Sequence, residues 1–381
     1  MAEIILPGKT IGIIGGGVVS YQLVLSAKKM GYNVAVLSES SDCLAGKAAD
    51  THYVSDINDA VMLIKLAKIS DVVTVVTEKF DKDAFMHLEE KTIFSQNMYS
   101  QSIIKNRYLQ KQFLDNHSIN ILPYESAVLI SDVYDAAERI GYPCVVKQEK
   151  RQLYGWDTNL VINKAVEINK AVPLIQRGLC IVESYIEVKS EWEMTLCVND
   201  EGYYSLFPLM RIKPTNTGEL NYIESFKDWS DLNSESISQM ELITKVIASE
   251  LGVTGIVKVS FFLTEEDNLY VNNIYTFPKE HDILTMNSCN LSVFDLHIKS
   301  ICNFSLPKIR QLTPTILLPI YEQTKEEVIE LIERKNKWQY FLYDGFSNKL
   351  QTGFTQVFPV NIEETIQEIK YAGLIKDNTM A

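Results

Sequence analysis

The sequence lacks any hydrophobic stretch long enough to cross a lipid bilayer. Its longest apolar runs, such as Ile11–Ile14 and Val253–Val257, fall far short of the ~20 residues that a membrane-spanning helix needs. The opening residues Met1–Ile4 also lack the basic region and apolar run of a secretory signal. We therefore expect a cytoplasmic protein with no membrane partner.

Cysteine and histidine are sparse, and their spacing matches no metal-binding or nucleophilic motif. The six cysteines include no Cys-x-x-Cys pair or Cys/His cluster, which zinc sites require, and they are typical of reduced thiols. There is no Gly-x-Ser-x-Gly elbow and no cysteine with a suitably placed histidine motif. No further ligand at helical spacing accompanies His281, Asp282 and His297. No metal site is therefore predicted, and His297 is interpreted as a hydrogen-bonded structural residue.

Positive charge is in deficit. Lys and Arg total 36 and Asp and Glu total 49, which gives a formal net charge of −13. A nucleic-acid-binding protein neutralises phosphates with a basic face, so this balance argues against nucleic acid as the main partner. A small anionic ligand needs only a local positive pocket and stays compatible with it.

The first hundred residues alternate between strand and helix patterns. Strands are predicted at Thr10–Ile14, Asn33–Leu37 and Asp71–Val76, with helices at Val18–Met30 and Ala60–Ala67 between them. This β-α-β-α-β order predicts a parallel sheet covered by helices. The total length suggests two or three domains.

Strand signals dominate the middle of the chain. A long helix is predicted at Ile103–Asn116, followed by strands at Asn120–Pro123 and Cys144–Gln148. Further strand patterns extend from Leu160 to Leu263, and a small α/β segment begins at Thr315. This change of pattern indicates a second structural unit after the parallel sheet.

A glycine-rich turn, Gly15-Gly16-Gly17, joins the first strand to the first helix. Backbone amides at such a turn can bind an anion. The dinucleotide fingerprint requires glycine at the sixth position, where this chain has Ser20, and an acidic residue after the second strand, where Glu39 comes slightly late. We therefore interpret the turn as a tight turn with another function, or with no binding function, rather than as a nicotinamide site. An oxidoreductase stays an open alternative.

The order of features along the chain resembles the N5-carboxyaminoimidazole ribonucleotide synthetase family of the ATP-grasp superfamily. No single match is specific, but the ordered series is, and it covers about residues 8 to 320. The matching segments are Thr10–Gly17, Lys28–Val34, Asp71–Thr74, Gly141–Pro143 and Cys289–His297.

This resemblance implies an α/β protein with the ATP-grasp fold. An N-terminal Rossmann-like (pre-ATP-grasp) domain would span residues 1–102, and an ATP-grasp domain residues 103–310, with a lid subdomain at about 120–185. A small C-terminal α/β domain would span residues 311–381. The resemblance also implies a homodimer that binds a small-molecule nucleotide.

The family converts aminoimidazole ribonucleotide, bicarbonate and ATP into the carboxyamino product, ADP and phosphate. Such phosphoryl transfer needs magnesium, lysines and backbone amides to neutralise developing charge. By matched position, Arg107 and Lys147 would contact ATP phosphates, and Asn272 would lie in the metal and substrate segment. Glu183 would accept from the adenine amino group, and Glu191 would bind the ribose hydroxyls. Taken alone, Lys147 and both glutamates are also typical of solvated strand ends.

Several positions that carry the family's chemistry hold other residue types. The two magnesium-binding glutamates fall at Ser260 and Asn273, which give no charge to a cation that prefers anionic oxygen ligands. The glycine-rich loop falls at Gln152–Thr158 and keeps one glycine, so side chains obstruct the approach of its backbone to phosphates. Lys258 shares a strand face with Ser260 and could partly replace the charge of the metal.

The substrate segment is also altered. The family's A-P-R-P-H-N-S-G-H falls at Tyr275–Ile283, where the arginine and both histidines are lost. The residues left as a possible substrate region are Gly15, Gly16, Gly17, Glu78, Lys279 and His281.

These changes affect phosphate, metal and substrate positions together. We expect weak or absent carboxylation activity, weak or metal-independent ATP binding and no bound metal, and no catalytic residue is assigned. Two alternatives stay open: a non-catalytic, regulatory nucleotide-binding paralogue (a pseudoenzyme), and an ATP-grasp ligase with another substrate.

Overall fold

The computed structural model describes residues 3–77, 79, 81, 86, 88, 92–150, 159–215, 219–343 and 350–375. Within these residues the chain forms three sheets with helices packed on their faces. None of the described helices combines the length and the apolar character that crossing a membrane demands.

The first sheet is parallel, as the sequence predicts, with the strand order β3-β2-β1-β4-β5. Its inner strands are almost wholly buried, which is typical of parallel sheets covered by helices. The strands are β1 Thr10–Ile14, β2 Asn33–Ser38, β3 Thr51–Val54, β4 Val72–Val75 and β5 Ile93–Phe94; the helices are α1 Val18–Lys29, α2 Leu44–Ala48 and α3 Ala60–Ile69.

Two helices, α4 Met98–Lys105 and α5 Arg107–Asn116, replace the single helix predicted at Ile103–Asn116. That prediction is wrong because Asn106 is extended (φ −118°, ψ 111°) and caps α5, accepting a hydrogen bond from the backbone N–H of Leu109. Asparagine favours such N-caps because its side chain competes for backbone groups. The break places Arg107 in the first turn of α5.

The second sheet is antiparallel, with the strand order β6-β9-β7-β8. The predicted strand at Asn120–Pro123 is displaced to β6, because Asn120 instead bonds to a strand of the third sheet through Val271 N–H and Leu269 O. The strands are β6 Tyr124–Ala127, β7 Cys144–Gln148, β8 Leu160–Ile162 and β9 Cys180–Ser184; the helices are α6 Ile130–Ile140, α7 Val172–Ile175 and the 3-10 helix Ala165–Ala171.

The third sheet has nine strands in the order β15-β14-β10-β12-β13-β16-β18-β17, with β11 paired to β10. Because β13 pairs with β16, the sheet continues across residue 310, and the predicted domain limits stay predictions. Its strands are β10 Ser190–Val198, β11 Tyr204–Leu206, β12 Met210–Pro214, β13 Leu220–Ser225, β14 Gly255–Leu263, β15 Leu269–Tyr275, β16 Thr315–Tyr321, β17 Gln339–Leu342 and β18 Gln351–Val357.

Seven further helical segments accompany this sheet in the described residues. They are α8 Ser234–Leu251, α9 Thr285–Ser288, α10 Val293–Ile301, α11 Lys325–Arg334 and α12 Ile362–Tyr371, with the 3-10 helices Glu280–Leu284 and Glu322–Thr324.

A buried histidine joins the first sheet to the third. His297 Nε2 lies 2.9 Å from Thr74 Oγ1, and its Nδ1 accepts from the backbone N–H of Ile256. Burial lowers the pKa of His297 to about 3, so the ring is neutral. The ring fits because residue 255 is glycine: a Cβ there would lie 2.7 Å from the ring. The interpretation of His297 as a structural residue is confirmed.

Candidate functional site

Two groups of buried charged side chains lie on neighbouring sheets. The Glu183 cluster consists of Lys111, Lys147 and Glu183, on α5, β7 and β9. The Lys258 cluster consists of Glu193, Lys258, His281 and Asp282, on β10, β14 and the 3-10 helix Glu280–Leu284. Glu191 lies two residues before Glu193 on β10, on the same strand face, and Lys147 opposes the rise in its pKa.

In the Glu183 cluster two lysines hold one carboxylate. Lys147 Nζ lies 2.8 Å from Glu183 Oε2, and Lys111 Nζ lies 3.3 Å from Oε1. Burial alone would raise the pKa of Glu183, but the two lysines and Arg107 lower it to about 2. Burial lowers the pKa of Lys111, an effect that Glu183 opposes. Cations outnumber the carboxylate here, and such a surplus attracts anions.

The structure therefore brings together Arg107, Lys147 and Glu183, as the sequence predicts, and places Lys111 with them. The family resemblance matches Lys111 together with Arg107, one helical turn apart on one face of α5, but assigns Lys111 no role. Both Glu183 oxygens already accept from lysines. A carboxylate oxygen has a second acceptor site, so acceptance from an adenine amino group stays a prediction.

Glu191 is a half-buried carboxylate near the start of β10. Burial and the neighbouring Glu193 raise its pKa to about 7, against an opposing effect of Lys147. Glu191 therefore changes charge close to neutral pH. Its ionised form can accept hydrogen bonds from hydroxyl groups, which suits the ribose role carried over from the resemblance.

The Lys258 cluster surrounds one fully buried ammonium. Lys258 Nζ lies 2.6 Å from Glu193 Oε1, 2.6 Å from Asp282 Oδ1 and 3.2 Å from His281 Nε2. Burial would raise the pKa of Glu193, but Lys258 and His281 hold it well below its ordinary range. Burial would lower the pKa of Lys258, but Asp282 and Glu193 raise it. Lys258 and Glu193 are therefore both charged at neutral pH.

This cluster was not predicted, because its members are remote along the chain. His281 and Asp282 were interpreted without a further ligand, whereas the fold adds Glu193 from β10. One ligand atom of each of these three residues lies within 4.8 Å of the others, a spacing at which they could hold a metal. The absence of a bound metal stays a prediction, and Lys258 lies among these three groups.

The two family metal positions, Ser260 and Asn273, face each other across β14 and β15, and Ser260 also pairs with Glu193. A β-bulge follows Ser260, so Asn272 is the extra residue beside Asn273. Among the described residues the buried Ser260 Oγ has no hydrogen-bond partner. A hydroxyl and an amide beside carboxylates already held by Lys258 do not fit magnesium, which requires anionic oxygen ligands in octahedral geometry.

The glycine turn at the end of β1 packs tightly against the second strand. A Cβ on Gly16 would lie 2.9 Å from Ser38 Cβ and 3.0 Å from Cys43 Sγ. Cys43 Sγ lies 3.7 Å from His52 Nε2, which is also 2.8 Å from Ser38 Oγ. The fold thus brings together Cys43 and His52, two residues whose spacing in the sequence matches no nucleophilic motif.

The remaining substrate candidates lie in different surroundings. Lys279 Nζ lies 3.8 Å from the centroid of the Tyr275 ring and 4.7 Å from that of Phe277, distances typical of cation–π contacts. His281 belongs to the Lys258 cluster. Glu78 and the loop at Gln152–Thr158 lie outside the described residues.

Comparison with known proteins gives consistent matches. A ribonucleotide synthetase preATP-grasp domain model matches residues 8–105, and an ATP-grasp domain model matches residues 112–294. The N5-carboxyaminoimidazole ribonucleotide synthase of Bacillus subtilis is 28% identical over 381 residues, covering 100% of this chain and 99% of the relative. That of Staphylococcus epidermidis is 29% identical over 337 residues, 88% of each chain.

Solved structures agree. An ADP complex of an N5-carboxyaminoimidazole ribonucleotide synthetase has a TM-score of 0.92 at 27% identity and covers 98% of both chains. The Staphylococcus aureus synthetase with ADP has a TM-score of 0.90 at 25% identity, covering 97% of this chain and 98% of the other.

Proposed function

Because the chain belongs to the N5-carboxyaminoimidazole ribonucleotide synthase family, we propose that it binds an adenine nucleotide at the Glu183 cluster and carries out the family's carboxylation slowly or not at all. The predicted fold class, an ATP-grasp domain with a pre-ATP-grasp domain, is confirmed by the same matches. The family is one of ATP-dependent ligases of purine biosynthesis.

The Glu183 cluster supports nucleotide binding. Lys147 and Lys111 present ammonium groups on a buried carboxylate, and Arg107 adds a third cation nearby. In this proposal they hold the phosphates of ATP, while ionised Glu191 accepts from the ribose hydroxyls and Asn272 borders the phosphates. Charge-assisted hydrogen bonds of this kind contribute about 1.5–3 kcal/mol each.

The Lys258 cluster is the observation that carries the proposal of weak activity. Both of its carboxylates are paired with one internal ammonium, and Ser260 and Asn273 supply no charge. Magnesium does not fit this donor set. Losing one well-placed stabilising donor costs ~3–4 kcal/mol, or ~100–1,000-fold in rate. We expect ADP formation at least ~1,000-fold slower than in a family member with both glutamates.

The test is a direct assay of purified protein. ADP formation is measured with ATP, bicarbonate and aminoimidazole ribonucleotide, and the Bacillus subtilis relative serves as the control. ATP and ADP binding is measured in parallel by calorimetry. Nucleotide binding with slow turnover supports the proposal, whereas turnover near the ~10 s⁻¹ typical of enzymes contradicts it.

A ligase for another substrate is the second candidate. It is favoured by Lys279, which lies on the rings of Tyr275 and Phe277 in the segment that would hold the substrate. A screen of small amines and carboxylates for ATP-dependent ADP release separates the two candidates.

Three further predictions stay part of this proposal by family resemblance. They are a homodimer, a cytoplasmic location and domain limits at about residues 102 and 310. Light scattering of the purified protein tests the first of them.

A further inference from the structure

We propose that Lys258 is a resident cation, which occupies the place of a divalent metal among Glu193, His281 and Asp282. The claim that Lys258 takes the place of a metal rests on the geometry of the cluster alone. Only the consequence for nucleotide chemistry rests on the proposed function.

The ligand set is that of a metal site. Two carboxylates and one imidazole offer atoms within 4.8 Å of one another, and zinc binds such oxygen and nitrogen ligands at ~2.0–2.2 Å. They come from two separate segments of the chain, and β10 and the 3-10 helix fix their positions. Without Lys258 the group would hold two buried carboxylates, and buried charges are paired or coordinate metals.

The ammonium is bound by both carboxylates. Lys258 Nζ donates to Glu193 Oε1 and Asp282 Oδ1, each at 2.6 Å, and the ionised Glu193 also accepts from His281 Nε2 at 2.8 Å. The side chain of Lys258 is fully buried, so its ammonium is closed off from a phosphate in solvent. A divalent ion could enter only by displacing Lys258, and that would leave the ammonium buried without its carboxylates.

Two buried hydroxyls supply an independent observation. Ser260 Oγ and Thr195 Oγ1 have no hydrogen-bond partner among the described residues, and the two side chains are 4% and 1% exposed. Ser260 is paired with Glu193, and Thr195 with Lys258, across β10 and β14, so both lie on the strand face that carries the cluster. Such hydroxyls are extra oxygen donors beside the carboxylates.

The experiment opens the site by substitution. Lys258→Met keeps most of the side-chain length and removes the charge. We expect this variant to bind one Co²⁺ at least ~100-fold more tightly than wild type, because imidazole and carboxylate ligands become available together. Titration followed by calorimetry and by the visible absorption of Co²⁺ measures the change.

Two control variants test whether the gain in Co²⁺ affinity comes from the Lys258 cluster. Lys245→Met removes a lysine of α8 that pairs with Glu241 and lies over the Tyr204 ring, outside the Lys258 cluster, and should gain no Co²⁺ site. Glu193→Gln added to Lys258→Met should abolish the gain. A folded Lys258→Met protein that binds Co²⁺ no better than Lys245→Met overturns the inference.

A measurement on wild type covers the case in which Lys258→Met does not fold. Nitrogen-15 spectra of the lysine side chains should show slowly exchanging ammonium groups, and that of Lys258, the most deeply buried, should persist when Mg²⁺ or Co²⁺ is added. Its loss on metal addition, with binding of one ion that Glu193→Gln abolishes, would show that the metal displaces Lys258 and that the inference is wrong. Neither outcome depends on nucleotide binding, so failure of this inference is distinguished from failure of the proposed function.

Discussion

The Glu183 cluster and the Lys258 cluster both bury lysine against carboxylate, yet their charge balance is opposite. At the first, Lys111, Lys147 and the nearby Arg107 outnumber one carboxylate. At the second, one fully buried ammonium faces two carboxylates. Lysine therefore can bind an anion in the first cluster and blocks a cation site in the second. The ratio of lysines to carboxylates determines which of the two occurs.

The largest effect should come from removing the ammonium of the Lys258 cluster. Lys258→Ala leaves Glu193 and Asp282 buried without their cation, and breaking such a pair typically costs about 3–5 kcal/mol. Urea unfolding of this variant measures the loss in the free energy of unfolding. The control Lys245→Ala removes a half-buried lysine of α8 that pairs with Glu241 and lies over the Tyr204 ring, and should cost no more than roughly 1 kcal/mol. Equal losses in the two variants would show that the cluster contributes nothing special.

A second prediction concerns the Glu183 cluster. Lys147→Ala should weaken ATP binding by about 10–100-fold, because a charge-assisted contact worth ~1.5–3 kcal/mol is lost. Adenosine binding should change far less, since it has no phosphates to hold. Calorimetry with both ligands measures the difference. Lys170→Ala, which removes a surface partner of Glu167 in the same part of the chain, is the matched control. A similar loss for adenosine contradicts a phosphate role.

Glu191 links the two clusters and predicts a pH dependence. Its pKa is raised to about 7, so the folded protein holds this proton more tightly than the unfolded chain. That contribution to stability is present below the ordinary carboxyl pKa and is lost as the pH rises towards 7. Nucleotide binding to the ionised form has the opposite sign and should strengthen by about tenfold from pH 6 to pH 8.

The check is calorimetry with adenosine at both pH values. Adenosine has no phosphate that titrates in this range, so the change reports the protein. Glu191→Gln should bind more weakly and with no dependence on pH. A variant that keeps the dependence would place the titrating group elsewhere.

The smallest effect expected is that of magnesium. Because Lys258 already pairs with both Glu193 and Asp282, ADP affinity should change by less than about threefold, or ~0.7 kcal/mol, between excess Mg²⁺ and a chelator. Calorimetry under both conditions measures it, with the Bacillus subtilis relative as comparison. A tenfold or larger gain with Mg²⁺ would mean that a metal binds through ligands other than those described.

Local pattern was enough to predict the parts of the fold that depend on it. The alternation of apolar strands and helices gave the parallel sheet, and β7 was predicted with its observed limits, Cys144–Gln148. The division of the long helix at Asn106 was missed, because a single polar residue inside a helical pattern can either face solvent or cap the next helix. The choice depends on contacts that are absent from the local sequence.

The candidate site depends even more on contacts that are absent from the local sequence. Arg107, Lys147 and Glu183 were found through their order along the chain, without any knowledge of their contacts. The Lys258 cluster could not be found in this way, because it depends on the register of β10 against β14 and on a distant 3-10 helix. The one local signal was the strand alternation that places Lys258 beside Ser260.

The pairing of β13 with β16 also determines where the chain can be shortened. The change in sequence pattern near residue 310 invites truncation there, but removing the residues beyond it would strip β16 from the edge of β13. The freed backbone N–H and C=O groups, beside the buried side chain of Ile223, would form a ready template for another chain. A shortened protein should therefore precipitate or associate edge to edge, whereas the full-length protein keeps this edge covered.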